Sequence, residues 1–195
     1  PYGIANFVEV AEQNMYYVDK TMYLPLLEKQ PRNLFFIRPR RFGKSIFLSM
    51  LRAYYDIAQK EKFQKRFGNL WIGSRPTPLQ GKFQVVYLDF SRASGGSGSL
   101  EENFNNYCGM VMDLFGKVYE PYYFPGFAQK MEEQPDFVSK LNYLNLHAAE
   151  SGMKLYLIID EYDTPIQQGH VNGFYDTVIG FMRNLFSGGL KDNPS

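Results

Sequence analysis

The feature that most constrains the fold of this chain is a Gly-Lys-Ser triplet between a short apolar run and a long amphipathic segment. The apolar run is Leu34-Phe-Phe-Ile37, and runs of this kind are typical of buried parallel strands. From Lys44 to Gln59 the apolar residues recur at the spacing of one helix face. The sequence therefore predicts a buried strand, a tight loop over residues 38–43, and a helix that begins with the triplet.

This order of elements suits the binding of a phosphate group. Backbone N–H groups at a helix start have no partner inside the helix, and the helix dipole favours negative charge there. Gly43 would let the backbone approach the phosphates, Lys44 would bind them as a catalytic cation, and Ser45 would give its hydroxyl to Mg²⁺. The predicted Walker A, or nucleotide-binding, residues are Arg38, Pro39, Arg40, Arg41, Phe42, Gly43, Lys44, Ser45 and Ile46.

The loop departs from the full Walker A pattern at its first position, where Arg38 replaces a glycine. Glycine permits an unusual backbone angle, so Arg38 must adopt an ordinary angle or tolerate strain. Arg40 and Arg41 add positive charge beside the predicted phosphate site. Two interpretations stay open for this pair, stabilisation of ATP and simple exposure to solvent.

Two acidic residues follow the last predicted strand, Lys154-Leu-Tyr-Leu-Ile-Ile159. Ligands bind at the carboxyl ends of strands in open α/β sheets. We therefore predict that Asp160 is a Walker B residue that holds Mg²⁺ and that Glu161 is the general base that polarises the attacking water. The alternative is that both acids are solvated strand ends or helix caps.

Other polar residues have two interpretations each. Asp163 and Thr164 fit a turn and helix cap better than a contact to the site. Asp89 and Ser91, at the end of the predicted strand Gln84–Phe90, fit a cap as well as they fit a contact to the attacking water or to a neighbouring segment. Arg183 is more easily a solvated side chain than an arginine that completes a neighbour's site. The two histidines, His147 and His170, lack the spacing of a metal site.

Composition narrows the remaining possibilities. The length of 195 residues and 45% hydrophobic content suit one domain over residues 1–195. A net charge of +1 gives no support for a nucleic-acid partner. Because Cys108 is the only cysteine and no apolar run could span a bilayer, we expect a cytoplasmic protein without a membrane partner. The stretch Ser94-Gly-Gly-Ser-Gly-Ser99 reads as a flexible linker, native or engineered.

Apolar residues at helical spacing also predict helices over Leu100–Phe115, Phe137–Ala148 and Phe174–Leu185, with a break at Pro121–Pro125. Predicted strands alternate with predicted helices, which indicates parallel pairing in an α/β sandwich. Several segments together resemble the predicted AAA-ATPase-like family, a P-loop family abundant in gut Bacteroidetes and often followed by a nuclease-like C-terminal domain. The segments that carry this resemblance are Pro1-Tyr-Gly-Ile-Ala-Asn-Phe7, Tyr17-Val-Asp-Lys-Thr21, Arg38-Pro-Arg-Arg-Phe-Gly-Lys-Ser45, Leu88-Asp-Phe-Ser91, Phe104-Asn-Asn-Tyr107 and Asp160-Glu-Tyr-Asp163.

The resemblance implies a three-layer P-loop NTPase fold of the additional-strand, AAA-like class, with ATP and Mg²⁺ as cofactors. In that class a sensor strand lies between the P-loop strand and the acidic strand, and we expect the chain to be truncated before it. A strand from another chain that fills the gap and a different topology are the alternatives. We therefore expect hydrolysis by the full-length protein and little by this fragment. Related folds contact adenine just before the first strand, so Tyr16 or Tyr17 could stack on the base, although a core role is favoured.

Three other functions stay open at this stage. The first is a non-hydrolytic switch whose ATP-bound state presents an interaction surface, with a homo-oligomer as one form of partner. The second is a nucleic-acid-associated module, which the clustered Arg32, Arg38, Arg40 and Arg41 would favour. The third is a small-molecule kinase. For Asp19 and Lys20, an ion pair and a role in the site are both open.

Overall fold

The computed structural model describes residues 4–31, 34, 36–37, 42–94 and 99–164. The chain divides into two compact units, Pro1–Phe83 and Gln84–Ser195, here called unit 1 and unit 2. The loop residues Arg38–Arg41, the predicted helix around Phe174–Leu185 and the side chains of Arg183 and His170 lie outside the described residues.

Helices dominate both units within the described ranges. The α-helices are α1 (Phe7–Glu12), α2 (Leu24–Leu27), α3 (Lys44–Tyr55), α4 (Phe63–Phe67), α5 (Leu100–Tyr119), α6 (Phe127–Glu132) and α7 (Phe137–Glu150). The strands are β1 (Phe83–Asp89) and β2 (Lys154–Asp160). Short 3-10 helices cover Thr21–Tyr23, Ile57–Lys62, Trp71–Ser74, Phe90–Ser94 and Glu120–Tyr122.

Unit 1 is built around an aromatic cluster that α1, α3 and α4 share. The Phe7 and Phe67 rings lie 4.9 Å apart, and Tyr54 meets Phe67 edge-on at 5.5 Å. All three side chains are fully buried. The Phe7 backbone N–H also donates to the Ser49 hydroxyl at 3.1 Å, which ties the start of α1 to α3. Burial of such large rings against one another fixes α3, and hence its first turn, within the unit.

Helix α3 is confirmed where the sequence predicts it, but it ends at Tyr55 rather than near Gln59. The reason is Asp56, which is buried and adopts an extended conformation with ψ of 118°. Its carboxylate accepts hydrogen bonds from the Ala58 N–H and the Gln59 side-chain amide, both at 2.8 Å. A buried carboxylate that needs these donors starts a new 3-10 helix in place of another α-helical turn.

The buried strand predicted over Leu34–Ile37 is wrong for the residues that can be described. Leu34, Phe36 and Ile37 lie outside any strand, and Ile37 is 80% exposed. Phe36 stacks on Phe47 of α3 with ring centroids 5.1 Å apart. A short apolar run can equally supply one anchor to a neighbouring helix, and periodicity does not distinguish the two cases.

Unit 2 contains a parallel sheet of two strands, β1 and β2. The connection between them passes through α5, α6 and α7, as expected for a parallel pair that needs a long crossover. Val85, Val86 and Leu88 of β1 and Ile158 of β2 are buried. A parallel sheet whose strands are connected through helices is compatible with the predicted α/β class.

Helix α5 is the longest helix in the described residues, with 20 residues. Ser99, the last residue of the Gly/Ser stretch, begins it with a capping box. Cys108 in its middle is fully buried, and burial raises the pKa of its thiol. The predicted break after this helix is confirmed, because Pro121 lies in the 3-10 turn Glu120–Tyr122 that follows.

Candidate functional site

Helix α3 begins at a glycine in the left-handed conformation. Gly43 is the N-cap residue and adopts a left-handed conformation, with φ of 75° and ψ of 29°. Among the residues that the structure describes, no side chain caps the helix, and its first turn contains no acidic residue. A β-carbon at Gly43 would lie 3.3 Å from Ile46 Cγ2. The glycine is thus required by its backbone angle and by the close approach of Ile46.

Three of the predicted nucleotide-binding residues form the first turn of α3. Lys44, Ser45 and Ile46 are all half-buried, whereas Phe42 just before the helix is 63% exposed. The Ser45 hydroxyl makes no hydrogen bond with any part of the chain that the structure describes. This hydroxyl therefore remains available, as a ligand to a metal ion would have to be.

A second cation lies beside this helix start, and the sequence did not assign it there. Lys20 Nζ is 3.5 Å from the position that a β-carbon of Gly43 would occupy. The alternative of an Asp19–Lys20 ion pair is not observed within the described ranges. Asp19 instead accepts hydrogen bonds from the Thr21 N–H at 2.8 Å and from the Trp71 N–H at 2.6 Å. These bonds explain why Asp19 faces away from a pairing with Lys20.

Strand β2 ends at a buried aspartate, Asp160, and the half-buried Glu161 that follows it has a strained backbone conformation. Asp160 is only 3% exposed. Its Oδ1 accepts a hydrogen bond from the Glu161 N–H at 2.9 Å, and its Oδ2 accepts one from the Tyr87 hydroxyl at 3.4 Å. A carboxylate is retained in such a buried position only when donors or a cation compensate for its desolvation. The donors of Glu161 and Tyr87 hold Asp160 in one orientation.

Glu161 follows with φ of 51°, in the left-handed region that side chains other than glycine, asparagine and aspartate rarely adopt. Within the described residues Asn14 is the other non-glycine residue with positive φ. Strained backbone of this kind costs about 1–3 kcal/mol and is concentrated at functional sites. The Glu161 carbonyl accepts the Thr164 N–H at 3.0 Å, so a tight turn stabilises the conformation.

The two other pairs of polar residues have local roles. Asp89 at the end of β1 accepts hydrogen bonds from the Ser91 N–H at 3.1 Å and from the Ser91 hydroxyl at 2.7 Å. Its second oxygen lies 3.3 Å from Arg92 Nε. These contacts favour the capping interpretation of Asp89 and Ser91. The turn that Thr164 closes favours the same interpretation for Asp163 and Thr164.

The aromatic candidates for adenine differ in exposure. Tyr16 is 83% exposed, whereas Tyr17 packs edge-on against Phe7 at 5.2 Å. Burial, followed by the nearby Asp19 charge, raises the pKa of Tyr17 to about 12. Tyr17 is half-buried and packs against the core through Phe7, which favours the core role, whereas Tyr16 makes no ring contact with the described residues. His147 contacts Tyr143 at 4.5 Å and lies 2.8 Å from a Glu150 oxygen.

Charge is distributed very unevenly along the chain. Residues 1–83 carry 14 Lys and Arg against six Asp and Glu, while residues 84–195 carry seven against 14. The net charge of +1 averages these two halves and hides the basic character of unit 1. A count made over each half would have shown this signal. A basic unit favours the association of anions over and above any single contact.

Within the described residues no helix is both long and apolar enough to cross a membrane. The same ranges contain no group of three or more His, Cys, Asp and Glu side chains that could hold a metal ion by themselves.

Comparison with known proteins agrees with the motifs. The family described as Predicted AAA-ATPase matches residues 1–195. A protein of Azotobacter chroococcum mcd 1, described as an uncharacterized protein in the vnfD 5' region, is 30% identical over 171 residues. The match covers 85% of this chain but only 29% of that relative. No solved structure matches the chain. Because the family match extends over every residue, the chain belongs to the predicted AAA-ATPase family.

Proposed function

We propose that the chain is an ATP-binding P-loop NTPase domain that binds its nucleotide with Mg²⁺. The observation that carries the proposal is the start of α3, where a left-handed glycine without a side-chain cap precedes Lys44 and Ser45. Membership of a predicted ATPase family supports nucleotide as the anion. A helix start with unsatisfied N–H groups and a neighbouring lysine is a general solution for holding phosphate.

The first turn of α3 fits the phosphates and the metal ion. Lys44 supplies a point charge to the β- and γ-phosphates, and the N–H groups of the turn donate to the phosphate oxygens. The Ser45 hydroxyl, which has no partner in the described part of the chain, supplies an oxygen ligand. Mg²⁺ prefers such oxygen ligands and completes its shell with phosphate oxygens and water. The residues Arg38–Arg41 and Phe42 complete the proposed loop.

The end of β2 supplies the groups expected for hydrolysis. Asp160 is buried and oriented by two donors, which suits a carboxylate that holds the water shell of Mg²⁺. Glu161 follows it in strained backbone, which suits a general base that polarises water. Bound Mg²⁺ would supply charge neutralisation for the transferred phosphoryl group. Hydrolysis is the role that we propose for the longer protein.

Calorimetry with ATP and Mg²⁺ on the 195-residue chain tests the proposal. We expect micromolar binding by the wild-type chain and at least a hundredfold loss in Lys44→Ala, because the substitution removes a charge-assisted contact to phosphate. Lys62→Ala, which removes an exposed lysine of the same unit, is the matched control and should bind as the wild type does.

A Glu161→Gln variant separates binding from turnover. It should bind ATP with unchanged affinity and lose any phosphate release that the wild type shows. Binding without turnover in both proteins would indicate the non-hydrolytic switch. A folded wild-type chain that fails to bind ATP would show that the proposal is wrong.

A further inference from the structure

We infer that Lys20 is a second phosphate-binding cation, which acts from outside the Walker A loop on the anion bound at the start of α3. The inference rests on the proposed function, because it concerns the same phosphate site. Lys20 belongs to a separate segment of unit 1, between α1 and α2. The sequence of the Walker A loop alone does not indicate that this segment contributes to the site.

The position of Lys20 Nζ carries the inference. It lies 3.5 Å from the point where a β-carbon of Gly43 would stand. Gly43 is the N-cap of α3, so the ammonium group occupies space next to the N–H groups of the first turn. A phosphate that accepts hydrogen bonds from this turn would come within reach of the ammonium group. Two like-charged features, the positive end of a helix dipole and a lysine, are placed together only at a cost that a bound anion removes.

The backbone around Lys20 is held on both sides, which makes its position a property of the fold. Asp19 accepts the N–H groups of Thr21 and Trp71. Thr21 is fully buried, and its hydroxyl accepts the Ile72 N–H at 3.2 Å. The Lys20 carbonyl accepts the Tyr23 N–H at 3.1 Å. The segment is thus attached to the 3-10 helix Trp71–Ser74 by two hydrogen bonds.

The charge of Lys20 is not neutralised by a carboxylate in the described residues. Its sequence neighbour Asp19 uses both oxygens for the donors of Thr21 and Trp71. Glu12, another acidic residue of unit 1, forms its salt bridges with Lys65 and Arg66. A half-buried lysine without an acidic partner, in a unit with a large excess of cations, has a use when an anion binds beside it.

The test compares the affinity of Mg²⁺–ATP for the wild-type chain, Lys20→Met, Lys20→Arg and the control Lys62→Met. Methionine keeps the length of the side chain and removes its charge, so Lys20→Met should weaken binding by roughly ten- to a hundredfold, the range of a charge-assisted hydrogen bond. Lys20→Arg keeps the charge and should lie within about threefold of the wild type. Lys62→Met removes one charge from the same unit and should change the affinity less than twofold.

A second readout reports on Lys20 directly. Acetic anhydride acetylates exposed amines, and mass spectrometry of peptides gives the extent at each lysine. ATP with Mg²⁺ should protect Lys20 from acetylation and leave Lys62 unprotected. A structural role of Lys20 would lower the melting temperature of Lys20→Met without giving protection by ATP, so the two roles are distinguished even if this variant is destabilised.

The Lys44→Ala variant keeps the failure of this inference apart from the failure of the proposed function. If Lys44→Ala loses binding while Lys20→Met binds as the wild type does and ATP gives no protection, the phosphate site stands and the role of Lys20 is wrong. If the folded wild-type chain binds no ATP, the proposed function fails and this inference fails with it. Weakened binding in Lys20→Met, retained in Lys20→Arg, together with protection, supports both.

Discussion

Helices α3 and α5 begin in opposite ways. At α5 the Ser99 hydroxyl accepts the Glu102 N–H at 3.1 Å, and the Glu102 carboxylate accepts the Ser99 N–H at 2.9 Å. Glu101 and Glu102 also place negative charge in the first turn. At α3 the N-cap is Gly43, no described side chain caps the turn, and Lys20 and Lys44 place positive charge beside it.

The first turn of α5 is thus capped by side chains of the same helix, whereas that of α3 has no such cap within the described residues. The capping box of α5 satisfies two backbone donors and complements the helix dipole, which stabilises the helix. Helix α3 does without these gains and adds two positive charges to its positive end. A missing side-chain cap also occurs at α6, so it is the combination with Lys20 and Lys44 that supports the proposal of an anion site at α3.

The largest expected effect is a loss of ATP affinity when a carboxylate is added at the uncapped start of α3. Gly43→Asp should weaken ATP binding more than a hundredfold, because a negative charge about 4 Å from a phosphate is repelled by up to ~4 kcal/mol. Gly43→Asn has the same shape without the charge, and both residues tolerate the left-handed conformation. Calorimetry on the two variants therefore separates charge from backbone strain.

A matched position for the strain itself exists in unit 2. Gly126 is also a left-handed N-cap without a side-chain cap, with φ of 86°, and a β-carbon there meets no atom within 4 Å. Gly126→Asn should leave ATP affinity unchanged. Equal affinities for Gly43→Asp and Gly43→Asn would contradict the assignment of the α3 start as an anion site.

A smaller effect, on the free energy of unfolding, is expected at the capped start of α5. Ser99→Ala removes the capping box and should lower the free energy of unfolding by about 1 kcal/mol, without any change in ATP affinity. Urea denaturation followed by circular dichroism gives the first quantity. Ser74→Ala, at an exposed serine of the 3-10 helix Trp71–Ser74, serves as control. A drop in ATP affinity in Ser99→Ala would break the distinction between the two kinds of helix start.

The smallest effect, a pH dependence of stability, is expected at α7, where the carboxylate of Asp136 caps the N-terminus. Asp136 accepts the Ser139 N–H at 2.7 Å, and this backbone hydrogen bond lowers the pKa of Asp136. Since the pKa is lower in the folded than in the unfolded chain, the contribution to stability is present above about pH 4 and is lost as the pH falls through the folded value.

Asp136→Asn keeps an amide oxygen at the cap and removes the titration. The wild-type advantage in the free energy of unfolding should therefore shrink between about pH 5 and pH 2, by less than ~1 kcal/mol because the group is exposed. Thermal unfolding at a series of pH values measures it. An advantage that is independent of pH would rule out a titrating cap.

The sequence predicted the long elements of the described fold well. Helices α3, α5 and α7 and strands β1 and β2 all lie where the spacing of apolar residues indicated. Their patterns extend over many residues, so burial against a core dominates over local preferences. The turn residues Asp89 and Ser91 could also be assigned in part, because short polar side chains after a strand act through local hydrogen bonds.

The remaining features depend on contacts that are distant in sequence. Leu34–Ile37 has the composition of a strand, but in the described residues Phe36 serves as an anchor for α3 through Phe47. The short helices α1 and α6 have six residues each and form because their apolar residues pack on other helices. Lys20 could not be placed beside Gly43 because 23 residues separate them and no motif joins them.

The buried thiol of Cys108 makes it possible to measure how often α5 opens. This cysteine is the single thiol of the chain, it is fully buried, and its raised pKa keeps it protonated at neutral pH. A thiol in this state reacts only during excursions in which the helix opens, so its labelling rate measures how often they occur. The labelling rate of Cys108, measured with and without nucleotide, therefore reports whether nucleotide changes the opening of α5.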